Sequence, residues 1–220
     1  MMISPETFYE EKLKGKTADE MMTVIRGLKR EIGRLKNIME HPDYQDREVA
    51  ICPSEDVQIS CARDYLERAK QALAEAGGEY APSVAEQKAM EFDANIPYIS
   101  KVKFTIGGYF GGYETRTYTI KDDQVHLYDE YSLHLAPSNL ADSEIEPWDK
   151  EAFLEQLQNL HIGEWRKNYS AKRFGRMILD GTQWDLEIYF SNDRKPVKIY
   201  GSNAYPYNFD RLFELFEMGE

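Results

Sequence analysis

At Pro97 the hydrophobic period of this chain changes from that of a helix to that of a strand, so two kinds of layer must coexist in its fold. Before that point Met21, Ile25, Leu28, Ile32, Leu35 and Met39 recur at alternating spacings of four and three. Ile59, Ala62, Leu66, Ala69, Leu73 and Ala76 do the same. Each set is a heptad seam running along one side of a helix. Thr17-Ala18-Asp19-Glu20 fits a capping box ahead of the first seam, and His41-Pro42 closes it. The second helix begins near Pro53-Ser54 and ends at Gly77-Gly78. Small alanines on one seam opposite larger residues on the other predict an antiparallel helical hairpin, with residues 41–53 as its connection. Ser4-Pro5 starts a shorter helix before it, and Ser83-Val84-Ala85-Glu86 opens another after it.

After Pro97 apolar and polar residues alternate. Lys101–Ile106, Thr115–Ile120 and Val125–Leu135 read as strands, with Asp122-Asp123 as the turn between the last two. A helix is expected over Lys150–Leu160, beyond the linker APSNLADSEIEP. Three more strands follow: Arg173–Leu179, then Thr182–Phe190 across an Asp180-Gly181 hairpin, then Val197–Tyr200. A last helix begins at Asn208, a good capping residue, with Phe209, Leu212, Phe213 and Phe216 on its buried side. The pattern is two three-stranded meanders, each followed by a helix, which hints at a duplication. The expected fold is α+β. A helical hairpin region at 1–96 precedes a sheet domain at 97–220, an antiparallel sheet of about six strands with helices on one face.

Charge limits the partners. The chain of 220 residues carries a net charge of −12. Residues 1–96 hold 13 Lys/Arg against 19 Asp/Glu, and residues 97–220 hold 14 against 20, so the acidity is shared equally. Such a field repels nucleic acid and anionic membrane. Arg26, Lys29, Arg30, Arg34 and Lys36 concentrate on the first long helix, where Glu55, Asp56, Asp64, Glu67 and Glu75 of the second can face them. That is the pattern of interhelical pairing. Gly27 and Gly33 lie off the seam, where each costs about 1 kcal/mol of helix stability with no evident return. No run approaches the roughly 20 apolar residues of a membrane helix, and none resembles a signal peptide. Cys52 and Cys61 are too far apart along the expected helix to pair, which predicts free thiols and a cytoplasmic setting.

Two aromatic stretches stand out. GGYFGGYE, residues 107–114, lacks the Lys-Ser/Thr and the helix of a phosphate loop, and it opens no βαβ unit. It reads as a hairpin, with Tyr109, Phe110 and Tyr113 available as a binding rim. GSNAYPYNF, residues 201–209, joins the last strand to the last helix without a charge. It reads as a packed corner in which Asn203, Tyr205 and Tyr207, with Trp184 nearby, could hold a planar ligand.

No cofactor, metal or catalytic signature is present: G-x-S-x-G, H-E-x-x-H, C-x-x-C and kinase motifs are all missing. His126, Glu130 and His134 share a strand face, but at about 3.3 Å per residue the two histidines lie roughly 26 Å apart, too far for one ion. Asp185 and Glu187 share a face about 6.6 Å apart, and with Asp180 and Tyr205 they give the basis for a small-molecule or glycan-acting enzyme.

Trp165, Tyr169, DGTQW at 180–184 and GSNAYPYNF together resemble an uncharacterised bacterial domain family, over about residues 150–218. That resemblance implies a bacterial origin and assigns no activity. The expected function is a non-enzymatic protein-interaction or regulatory module. Its partner, whether another protein or a second copy, would be met through the helical hairpin, with no cofactor, nucleic acid or membrane.

Overall fold

The computed structural model describes residues 2–44, 51–132, 148–176, 178 and 180–216. Their contacts divide into two compact units, Met1–Ser83 and Val84–Glu220.

The first unit is built around two long helices. Ser4 caps α1 (Pro5–Phe8), its hydroxyl accepting from the Thr7 amide at 3.1 Å, and a π-helical turn continues over Tyr9–Leu13. Thr17 and Glu20 close the expected capping box at the start of α2 (Ala18–Met39), and α3 runs over Glu55–Glu75. The two seams meet: Met21, Ile25, Ile32 and Leu35 of α2 are buried, as are Ile59, Ala62, Leu66, Ala69 and Leu73 of α3. Each large aliphatic removed from water this way contributes about 1.5–3 kcal/mol. Ala76, expected in the seam, is instead the exposed C-cap residue, and Ala72 is buried. The N-terminal segment is clamped to α3: Phe8 stacks on Tyr65 at 4.5 Å, Arg68 lies over the Tyr9 ring at 4.0 Å, and the Tyr65 hydroxyl donates to the Ile3 carbonyl at 2.7 Å. Cys52 and Cys61 are free thiols, and the Cys52–Pro53 peptide is cis.

The second unit opens with α4 (Val84–Asp93) and a 3-10 turn (Ile96–Tyr98), then builds a seven-stranded sheet. The strands are β1 (Ile99–Gly108), β2 (Gly112–Lys121), β3 (Gln124–Tyr131), β4 (Trp148–Asp149), β5 (Asn168–Ser170), β6 (Gln183–Phe190) and β7 (Val197–Ser202), in the order β4-β3-β2-β1-β6-β7-β5. The first meander forms as expected, with Asp122 and Asp123 both at positive φ in its second turn. Helices α5 (Lys150–Asn159) and α6 (Phe209–Leu215) complete the unit.

The second meander does not form. Residues Ala171–Phe174 are a 3-10 turn closed by Gly175 at positive φ, where the strand Arg173–Leu179 was expected, and Arg176 and Ile178 are not in strand. Asp180-Gly181 therefore joins no hairpin. Instead β6 pairs with β1 and β7, while β5 runs parallel to β7, so the sheet is mixed and the expected duplication is absent. The C-terminal part of the Val125–Leu135 reading, His134 and the linker before Trp148 lie outside the described residues.

Helices cover one face of the sheet. Val102, Phe104, Tyr118, Trp184, Leu186, Ile188 and Ile199 point into a core shared with Phe92 of α4, Phe153 and Leu157 of α5, and Leu212 and Phe216 at α6. Arg116 and Tyr118 fasten the end of α6, donating to the carbonyl oxygens of Phe216 and Leu215 respectively. These two donors satisfy carbonyls that a helix end leaves open.

Candidate interaction surfaces

The aromatic corner is structural. Trp184 is 1% exposed, its indole donating to the Ala204 carbonyl at 2.9 Å and lying over Gly201. Asn203, at positive φ, exchanges bonds with Thr182: its side-chain oxygen accepts from the Thr182 amide at 2.9 Å, and its own amide donates to the Thr182 carbonyl at 2.9 Å. A Cβ on Gly181 would come within 1.9 Å of that Asn203 oxygen, which explains the Asp-Gly dipeptide without a hairpin. Tyr205 packs on Phe209 at 4.7 Å, and Tyr207 is half-buried against the core. Asn208 does not cap α6 with its side chain. It is buried, accepting from the Trp165 indole at 3.1 Å and donating to the Leu160 carbonyl at 2.8 Å. Of the residues proposed for a planar-ligand site, Trp184 has its ring and its indole N–H engaged in packing, Asn203 serves the β6–β7 corner, and Tyr205 and Tyr207 are packed against the core.

The glycine-rich stretch is the β1–β2 hairpin. A Cβ on Gly107 would sit 2.0 Å from the Gly112 carbonyl oxygen, so the strands close only because that position is glycine. Tyr109 and Phe110 stand at the tip, 85% and 83% exposed, their rings edge to face at 5.1 Å. Tyr113 is exposed on the sheet face away from the helices, opposite Gly107. The tip places Tyr109 and Phe110 together and leaves Trp184 on the opposite face.

That uncovered face is a polar surface set by register. One row across the strands reads Glu130, Thr115, Thr105, Asp185 and Tyr200; the next reads Tyr128, Thr117, Lys103, Glu187 and Lys198. Thr105 and Thr115 share a hydroxyl bond of 2.9 Å. Glu187 pairs with Lys198 at 3.0 Å and accepts from the Tyr189 hydroxyl, which holds its carboxyl below the ordinary range. Burial, followed by the charge of Glu187, pushes Asp185 up. The two carboxylates thus diverge as an acid–base pair does, but on an open sheet face. Asp180 sits outside the sheet, in the segment before β6. On the helix-covered face, Arg116 donates to Glu114 at 3.0 Å and lies 3.5 Å from Asp129, whose Oδ1 is buried without a hydrogen bond. Among the described residues no group of three His, Cys, Asp or Glu is placed to hold a metal.

The cross-hairpin pairing that the charges suggested holds only in part: Glu55 of α3 acts on Arg34, while the bonds of the outward cations go elsewhere. Arg34 pairs with Glu31 of its own helix at 2.6 Å, and Lys29 donates to the Tyr80 hydroxyl at 3.0 Å. Arg26 and Arg30 are exposed and form no ion pair or hydrogen bond among the described residues. The reason is geometric: the seams occupy the facing sides, so these arginines, about half a turn round the helix from Ile25 and Ile32, point away from α3. With Thr23 and Lys29 they form one open stretch of the α2 surface. Gly27 and Gly33 flank the same side, and a Cβ at either would meet nothing within 4 Å. The sequence showed both glycines and all the cations; it did not show that nothing inside the hairpin uses Gly27, Gly33, Arg26 or Arg30.

Compared with known proteins, the chain matches no family model, no curated protein and no solved structure. Among the described residues no helix is long and apolar enough to cross a membrane.

Proposed function

We propose that the chain is a non-enzymatic protein-interaction module of the bacterial cytoplasm that meets its partner on the outward side of α2. The observation that carries this reading is the pair Gly27 and Gly33. Each weakens a helix interior by about 1 kcal/mol relative to alanine, and neither makes room for anything in the chain itself. Glycine there leaves the helix backbone open to close approach from outside. The heptad seams are buried against one another inside the hairpin, so the outward side is the part of α2 left for a partner. Free Cys52 and Cys61 fit a reducing compartment, and the resemblance over residues 150–218 supports the bacterial assignment.

The test is capture from a lysate of the native host by the intact chain and by its Gly33→Trp variant. A stoichiometric protein held by the first and lost by the second, with helix content unchanged, supports the reading. Equal capture by both overturns it.

A second reading, an enzyme acting on small molecules or glycans, rests on the opposite displacement of the Asp185 and Glu187 carboxyls. Hydrolysis of an aryl glycoside panel that Asp185→Asn and Glu187→Gln each abolish would establish it in place of the first.

A further inference from the structure

Building on the reading of α2 as the contact surface, we infer that the partner presents an acidic helix there, with carboxylates about one turn apart. Arg26 and Arg30 are related as i and i+4, about 6 Å along the axis, and repel one another with no counter-charge among the described residues. Other cations of this unit are matched, Arg34 by Glu31, Lys70 by Glu67 and Lys14 by Glu10, whereas Lys12, like Arg26 and Arg30, forms no ion pair among the described residues. α2 carries five Lys/Arg against three Asp/Glu in a chain whose net charge is −12. The stripe is therefore a local reversal of the protein's field, and it complements a negative surface.

Gly27 and Gly33 give the shape of that surface. They lie six residues apart, about 9 Å along the axis and about 120° round it, one on each flank of the Arg26–Arg30 stripe, so that a helix laid along the stripe passes between them. Their bare backbone lets such a helix approach while its carboxylates reach the two guanidinium groups, which bind carboxylate as a two-pronged fork. A nucleic-acid duplex fits less well, because the acidic remainder of the chain repels a long polyanion. A second copy could offer Asp64 of α3, but the next acid on that helix, Glu67, is already paired with Lys70, and two chains of net charge −12 repel one another.

The experiment places a photo-crosslinking residue at Thr23 of the intact chain, exposes it to native-host lysate and sequences the crosslinked peptide. It runs beside the variants Gly27→Ala/Gly33→Ala, Arg26→Gln/Arg30→Gln and Arg26→Glu/Arg30→Glu, each checked for unchanged helix content. The expected result is one protein, crosslinked through a segment with acids at i and i+4. Its capture falls about tenfold in the glutamine variant and further in the glutamate variant, and returns when the partner's acids are changed to arginine. If the glycine variant loses capture and both charge variants keep it, the partner is not acidic while the contact surface stands. If no variant changes capture, both readings fall. A nuclease-sensitive crosslink, or one to a second copy of this chain, overturns the inference.

Discussion

The indole nitrogen of Trp184 donates to the carbonyl oxygen of Ala204 at 2.9 Å, and the ring reaches it by lying across Gly201. A Cβ on Gly201 would come 2.1 Å from that nitrogen, so strand β7 must carry glycine opposite the tryptophan. Gly201→Ala is expected to force the ring off its site and destabilise the sheet unit by about 1–3 kcal/mol. Urea unfolding followed by tryptophan fluorescence measures this; an unchanged midpoint would show that the ring is free to shift.

Arg116 joins three elements. Its side chain is 14% exposed, bonded to Glu114, beside Asp129, and donating to the last turn of α6. Arg116→Met keeps the volume and removes the charge, leaving the Glu114 carboxylate and a helix-end carbonyl without their donor and Asp129 without its neighbouring cation. A loss of about 2 kcal/mol is expected, with early loss of protection in α6 amides. Hydrogen exchange across Phe209–Leu215 reads the second effect, and uniform exchange in both proteins would contradict it.

Asp129 gives the unit a pH signature. Burial raises its carboxyl above the ordinary value, opposed by Arg116. For an acid raised by folding, the favourable contribution is complete below the unfolded value and is lost as pH rises through the folded one. The ionised group therefore weighs against the fold at neutral pH. Asp129→Asn should be at least as stable as wild type at pH 7, with the gap closing toward pH 3. A variant less stable at pH 7 than at pH 3, relative to wild type, would refute this.

The hairpin tip is expected to add little to stability. Tyr109 and Phe110 are more than four-fifths exposed. Changing both to serine should alter unfolding free energy by less than about 0.5 kcal/mol, whereas Trp184→Ala should cost several. Calorimetry on the two variants separates these cases, and a tip variant that unfolds would mean that the rings support the hairpin.

Sequence periodicity revealed the helical hairpin and the first meander because both are local: Thr17 to Met39 and Lys101 to Tyr131 pair with neighbours along the chain. It failed where pairing is distant. Asp180-Gly181 carries a strong turn signal, yet the strand that follows begins at Gln183 and meets β1, about 80 residues earlier, and Asn203 is what requires the glycine. The parallel partner of β7 is a three-residue strand too short to show a period. Asn208 looked like a cap because asparagine favours that site, while its amide in fact joins Trp165 to Leu160. The surface on α2 was half visible. The glycines and cations could be named, but the direction in which Arg26 and Arg30 point depends on how the seams pack.

The most direct measurement pairs stability with binding in Gly27→Ala/Gly33→Ala. Alanine has the higher helix propensity and finds open space at both positions, so the double variant should gain about 1–2 kcal/mol in urea unfolding. It should at the same time lose capture of the partner that the intact chain holds. Greater stability with weaker capture is the result that the account predicts. Greater stability with undiminished capture would contradict it and move the contact away from α2.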